Sequence, residues 1–184
     1  MSRIYTRRGD DGTTGQFYGG RVAKDAAEPE ATGAVDEAFS ALGVTRALAI
    51  DERLAADLLS VQRDLFVVGA ELATGVASRD KLEPGVSLVT SSMVEALEDR
   101  IDAVVGAVGM PTEFIVPGGN PLAAAIDMAR SVTRRAERRA VTLVTAKGIT
   151  GSFVVPYLNR LADYLFMLAR AAEDDWVPSR EREE

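Results

Sequence analysis

Leu54, Leu58, Val61, Leu65, Val68 and Leu72 recur at alternating spacings of four and three residues. That pattern puts all six on one side of an α-helix, whereas a strand would scatter them over both faces of a sheet. A chain with such a stripe must bury it against other apolar faces, and further helical patterns supply them. Asp51 stands where an N-cap carboxylate would open this helix. Before it, Val35, Ala38, Phe39, Leu42 and Ala49 share a face, interrupted by Arg46, whose aliphatic stem can lie along apolar surface. After a polar loop over 76–90, Ser92 and Glu95 read as a capping box, with Val94, Leu97, Ile101, Val104 and Val108 inward. Asn120-Pro121 combines an N-cap with proline at the first helical position. The helix it opens runs to about Lys147, stops at Gly148, and puts Ala125, Ala129, Val132, Ala136 and Leu143 on one side. A last helix over 155–172 buries Leu158, Leu161, Leu165 and Leu168. The expectation is an all-α fold, a five-helix bundle with a glycine-rich N-terminal loop over 1–26 and a frayed tail over 178–184. Residues 113–119 read as a short extended run, and there is no internal repeat.

The 184 residues suit a single domain, 1–184. The chain contains no cysteine and no histidine. Disulfides, zinc knuckles, iron–sulfur clusters, thiolate nucleophiles, Ser-His-Asp hydrolysis and Glu-x-x-His di-iron centres are thereby excluded. What is left is catalysis by positioning, by arginine, lysine and carboxylate electrostatics, or through a cofactor. A net charge of −7 argues against nucleic acid or an anionic membrane as partner. No apolar run reaches the roughly 18 residues of a spanning helix, and the start has no secretory pattern, so a cytoplasmic location is expected.

Against that acidic background, cationic residues gather in two places. The first is the N-terminal loop, where Thr6, Arg7, Arg8, Gly9, Asp10, Asp11, Gly12, Thr13, Thr14 and Gly15 precede Lys24. Glycines, hydroxyls and arginines can turn several donors toward one anion; the same composition also suits a flexible arm. The spacing is not that of a Walker A loop, and no strand precedes it as in a dinucleotide-binding turn. The second is the fourth helix, where Arg130, Arg134, Glu137 and Arg138 lie opposite the apolar side. Arg134-Arg135 and Arg138-Arg139 bracket Glu137, and guanidinium groups so concentrated call for an anion or carboxylate. A solvated charged face is the competing reading. On the fifth helix Asn159, Asp163 and Arg170 share a side away from the leucines, and Asp36 sits just off the apolar face of the first.

Together these segments resemble the PduO-type ATP:cob(I)alamin (corrinoid) adenosyltransferases. The resemblance runs through Ile4-Tyr5-Thr6 to Gly15, Arg21-Val22-Ala23-Lys24-Asp25, Val35-Asp36-Glu37, Val61-Gln62 with Leu65-Phe66, and Phe114-Ile115-Val116-Pro117-Gly118-Gly119. It continues with Ala129-Arg130, Arg134-Arg135-Ala136-Glu137-Arg138 and Tyr157-Leu158-Asn159-Arg160-Leu161. It implies a homotrimer with active sites between subunits, and transfer of the 5′-deoxyadenosyl group of ATP to the cobalt of cob(I)alamin, releasing triphosphate. By position, Thr6, Arg7, Arg8, Gly9, Thr14, Gly15 and Lys24 would wrap ATP from one subunit. Arg134, Arg135, Glu137, Arg138 and Asn159 would complete the site from the neighbour, with Arg134 catalytic. Arg130 and Asp36 would pair between subunits, and Phe114 would contact the corrin and keep its lower axial ligand off. The cofactors implied are ATP as co-substrate, Mg²⁺ carried on it with Glu137 as a candidate ligand, and cobalamin as substrate. An adenosylcobalamin-dependent enzyme and a flavin-type reductase are the implied partners. The sequence departs from the family pattern at Asp11, where lysine is common, at Asp127 (histidine), at Ala162 (serine) and at Arg8 (a smaller polar residue). Those departures leave a second reading open, a non-catalytic corrinoid- or nucleotide-binding module that delivers adenosylcobalamin to a partner enzyme. A bare helical scaffold is the third.

Overall fold

The computed structural model describes residues 4–180. Two short strands, β1 (Thr13–Gly15) and β2 (Arg21–Ala23), come first and are followed by α1 (Ala27–Leu48) and α2 (Glu52–Leu72). A 3-10 helix (Val76–Lys81) leads to α3 (Ser91–Val108), α4 (Pro121–Lys147) and α5 (Val154–Ala171). The expected five-helix bundle is therefore corrected: the described residues form six helices, and a strand pair stands within the segment expected to be loop. The 3-10 segment was read as part of the polar loop 76–90 because its stability is not local. Arg79 on it donates to buried Glu71 of α2 at 2.7 Å.

α1 packs on α2 and α4, α4 on α5, and α5 on α3. The α2 stripe is the centre of the core: Leu58, Val61, Leu65, Val68 and Leu72 are buried, and Leu54 packs at its edge. On α1 and α4 the buried positions are largely alanine, with Ala31, Ala34 and Ala38 on one and Ala129, Ala136 and Ala140 on the other. Such small side chains let two helix backbones approach closely. α3 is bound more loosely. Only Leu97 is buried there, Val94, Ile101 and Val104 are half-buried, and Val108 is exposed.

The helix ends follow local chemistry. Asp51 accepts from the Arg53 and Leu54 amides, which hold its carboxyl below the usual carboxylate range. Asn120 accepts from Ala123, with Pro121 in the first turn, and Gly148 closes α4 in the left-handed region at φ 60°. The start of α3 differs from the expected capping box. Thr90, extended at φ −109°, ψ 160°, accepts from the Met93 amide, whereas Ser92 is already helical and its hydroxyl pairs with that of Thr90. No helix among the described residues is long and apolar enough to cross a membrane.

Candidate active site

β1 and β2 pair antiparallel with Thr13 opposite Ala23 and Gly15 opposite Arg21. The reversal between them needs positive φ at Gly19 (99°) and Gly20 (88°), a region closed to most side chains. Thr13 organises the loop ahead of the ribbon. Its amide and hydroxyl both donate to Asp11 Oδ1, at 2.9 and 2.8 Å, and its oxygen accepts from Arg21 Nε at 2.9 Å. These donors, the Thr13 hydroxyl foremost, hold the Asp11 carboxyl below its ordinary range. Asp11 thus acts as a loop organiser where a lysine was expected. Arg21 also reaches the Arg8 carbonyl, and the Lys24 amide donates to Gly12 O at 2.9 Å. A Cβ at Gly9 would lie 3.1 Å from Lys24 Nζ, so the loop passes directly over the lysine head. Thr6, Arg7, Arg8 and Gly15 are exposed around this fold, while Gly9 and Thr14 are half-buried.

The ribbon is moored to the C-terminal end of α2. The Phe17 amide donates to Ala73 O at 3.1 Å, and Tyr18 OH meets Ser87 Oγ at 3.3 Å. Beneath that mooring lies Glu71, only 1% exposed. It accepts from Arg79, from the Val89 amide at 2.8 Å and from Ser152 Oγ at 2.6 Å. One carboxylate thereby gathers the 3-10 helix, the loop before α3 and the loop before α5. Sequence patterning gave no sign of it, because all three partners arrive from distant segments.

α4 divides its arginines between two flanks. Arg135 pairs with Glu37, Arg139 with Glu30 at 2.9 Å and Lys147 with Glu28 at 2.8 Å, a ladder along antiparallel α1. Arg134 and Arg138, a turn apart, are exposed, and their guanidinium groups make no hydrogen bond or ion pair among the described residues. Beside them Glu137 accepts from Asn159 Nδ2 at 3.2 Å, and Asn159 Oδ1 accepts from Arg160 at 2.8 Å, which fixes the amide's orientation. Two free guanidinium groups next to an oriented Glu–Asn pair form a surface suited to a phosphate chain with a hydrogen-bonding head group. Among the described residues no hydrogen bond or ion pair joins residues 6–25 to α4. Asp36 is exposed and lines a cleft of about 280 Å³ with Phe17, Phe39 and Phe66. Within the chain Arg130 pairs with Asp127 of its own helix at 2.9 Å and lies 5.9 Å from the Phe166 ring centre.

Asn159, Asp163 and Arg170 share a side of α5 away from the leucines, yet their surroundings differ. Asp163 is exposed, but the Arg170 side chain has no exposed surface. It meets Asp127 at 2.6 Å and Glu173 at 3.0 Å. Helix rotation places the three residues on one side, yet that side turns from solvent into α4 toward its C-terminal end. Phe114 is 86% exposed, and with Pro111, Thr112 and Phe166 it edges a cleft of about 290 Å³. Phe166 also borders the adjoining cavity of about 520 Å³ between α3 and α5. Of the expected frayed tail, 181–184 lies outside the described residues; Pro178 pairs with Ile115, and the Ser179 amide donates to Phe114 O. Ala162 lies buried in the core. No group of three or more carboxylates suited to a metal ion occurs among the described residues.

On the far side of α5, Tyr157 donates to Asp64 at 3.0 Å and Tyr164 to Asp57. Burial pushes both phenols up, Tyr157 strongly, and also raises the Asp64 carboxyl.

A helix bundle with a glycine ribbon, an unpaired arginine face and an exposed phenylalanine is the pattern of a nucleotide-handling transferase family. Residues 4–172 match the cobalamin adenosyltransferase family, and the chain belongs to it. It is 41% identical over 189 residues to the corrinoid adenosyltransferase of Mycobacterium tuberculosis, covering 99% of this chain and 96% of that one. With the corrinoid adenosyltransferase of Bacillus subtilis it shares 40% over 172 residues, 91% and 85% of the two chains. Its fold is similar to that of a single-residue variant of the PduO-type ATP:corrinoid adenosyltransferase of Lactobacillus reuteri, complexed with cobalamin and ATP. The TM-score is 0.88 at 32% identity, covering 97% of this chain and all of that one.

Proposed function

We propose that this chain, as one adenosyltransferase domain, transfers the 5′-deoxyadenosyl group of ATP to the cobalt of cob(I)alamin. A cobalt–carbon bond forms at C5′, the C5′–oxygen bond breaks, and triphosphate departs with that electron pair. Reduced cobalt is itself a strong nucleophile, which suits a chain with no histidine or cysteine to attack for it. The protein's work is alignment and charge compensation. The observation that carries the assignment is the pair Arg134 and Arg138, exposed and unpaired beside Glu137–Asn159 in a member of this family.

Arg134 and Arg138 take the developing negative charge of the triphosphate, and Asn159, held by Glu137 and Arg160, orients the nucleoside. Thr6, Arg7, Arg8, Gly9, Thr14, Gly15 and Lys24 close over the phosphates from a neighbouring subunit of a homotrimer. That arrangement is supported by the absence, among the described residues, of any hydrogen bond or ion pair between residues 6–25 and α4. Arg135 enters the same site beside its Glu37 partner, and Arg130 meets Asp36 of the neighbour. Phe114 presents an apolar ring where the corrin's lower axial ligand would sit, so that cobalt has fewer ligands and is easier to reduce. Glu137 with phosphate oxygens and water suits Mg²⁺, which commonly binds through one or two carboxylates; when bound it neutralises triphosphate charge. A reductase, flavin-type, supplies the electrons, and an adenosylcobalamin-dependent enzyme receives the product. Asp11 and Asp127, which had left room for a non-catalytic carrier, have partners of their own, and no observation favours the carrier.

The test is absorbance-monitored adenosylcobalamin formation from ATP, Mg²⁺ and chemically reduced cobalamin. Arg134→Ala lowers kcat by roughly 10²–10³-fold while the helical circular dichroism is retained. Unchanged turnover in that variant refutes the role of Arg134, and no product from the wild type refutes the function.

A further inference from the structure

An exposed phenylalanine is not located by what its ring touches, so Phe114 is located by its backbone. The Ser179 amide donates to Phe114 O at 2.7 Å, the Val116 amide to Val177 O at 2.8 Å, and Ile115 pairs antiparallel with Pro178. Phe114 therefore rides on the segment that leaves α5. That segment is held in turn by a buried ionic cluster. Arg170 lies between Asp127 and Glu173, whose side chains are 5% and 2% exposed. Glu173 Oε1 then reaches across to accept from the Gly119 amide at 3.0 Å, at the far end of the loop that carries Phe114. A Cβ at Gly119 would lie 3.0 Å from that oxygen, so the loop backbone rests directly on the carboxylate. Trp176 Nε1 donates to Arg170 O at 3.0 Å, and Asn120 Nδ2 donates to Ala172 O.

We infer that Asp127, Arg170 and Glu173 are positioning residues for Phe114, a buried clamp that sets the register of the C-terminal segment against the loop. This rests on the corrin-facing reading of Phe114 given above. A buried ion pair is weak evidence for stability, since apolar replacements often serve as well. Directional bonds fix a register that an apolar contact would let slide. Here both the clamp's Glu173 and the strand pairing converge on residues 114–119 from opposite ends. Asp127 also holds Arg130, so the clamp joins the loop to the start of the arginine face.

Glu173→Ala removes the acceptor at Gly119 and one of the two carboxylates at Arg170, whereas Glu173→Gln keeps an acceptor. Ser179→Pro removes the amide that donates to Phe114 from the exposed end of the clamp. The probes are ATP binding by calorimetry, turnover, and the absorbance of enzyme-bound cobalamin with ATP, which reports whether the axial base is on or off cobalt. Trp176, the sole tryptophan, reports the segment by fluorescence. Glu173→Ala and Ser179→Pro leave ATP affinity unchanged, lose the base-off form as Phe114→Ala does, and drop kcat by roughly 10²-fold. Glu173→Gln, whose oxygen keeps the Gly119 bond while its NH₂ faces the Arg170 guanidinium, falls between wild type and Glu173→Ala in both, and Trp176 emission shifts to the red in Glu173→Ala. Wild-type base-off absorbance in both Glu173→Ala and Ser179→Pro overturns the inference, as does a loss in Glu173→Gln equal to that in Glu173→Ala. If Glu173→Ala does not fold, the Glu173→Gln spectrum decides, a wild-type base-off form there overturning the inference. A wild type that makes no adenosylcobalamin overturns the proposed function and this inference with it; an active wild type beside spectrally normal variants overturns this inference alone.

Discussion

Replacing Glu71 by glutamine changes one atom, and the structure says what that atom must do. Oε1 accepts from Arg79 and Ser152, and Oε2 accepts from the Val89 amide. Glutamine has one acceptor oxygen. If it faces Val89, the new NH₂ points at the Arg79 guanidinium, which cannot accept; if it faces Arg79, the NH₂ points at the Val89 N–H. Either way at least one buried donor is orphaned, at a cost of about 1–3 kcal/mol. The surviving bonds drop from charge-assisted to neutral strength, a further loss of about 1–2 kcal/mol. The sum, about 2–5 kcal/mol, is a large share of the 5–15 kcal/mol typical of a folded domain. For a chain of this length it lowers Tm by about 4–20 °C, read by circular dichroism at 222 nm. Because the ribbon hangs from Ala73, two residues on, ATP affinity measured by calorimetry falls as well. A Tm within about 3 °C of wild type would show that the three segments are held by something other than this carboxylate.

Asp64 has its pKa raised by burial, so the folded state binds its proton more tightly than the unfolded chain does. Its contribution to stability is full below the unfolded pKa and is lost as pH rises through the folded one. Asp64→Asn, which keeps an acceptor for Tyr157, therefore melts at or above wild type at pH 7, and that advantage disappears on acidification; an advantage that grew toward low pH would reverse the sign. Asn120→Ala removes the cap of α4 and the bond to Ala172, costing about 1–2 kcal/mol, and urea unfolding with an unchanged midpoint would refute it.

What could be read from the sequence was what is decided within a turn or two of chain. Asp51 and Asn120-Pro121 cap their helices as written, and the α2 stripe is buried as its spacing requires. Ser92 misled because two hydroxyls near Thr90 offer the same chemistry, and only the backbone angles distinguish them. β1 and β2 escaped notice because three-residue strands among glycines owe their existence to a register set six to ten residues away. Arg170 shares a helical side with Asn159, but rotation alone does not tell that it is buried; its buried partner Asp127 is 43 residues earlier. Glu71 was missed for the same reason. At the candidate site the residue types were legible, but not which arginines were already engaged within the chain.

The arginine doublets of α4 carry a consequence for turnover. Successive residues on a helix diverge by about 100°, so each doublet sends one guanidinium to α1 and one outward. Four positive charges within six positions would otherwise converge on one anion and hold it fast. On the proposed function, with the charges of Arg135 and Arg139 offset by Glu37 and Glu30, a departing polyphosphate faces a weaker grip than the composition of the helix suggests. Product release often limits an enzyme's cycle, and on that reading this division lets the same surface capture a nucleotide and then let its remnant go.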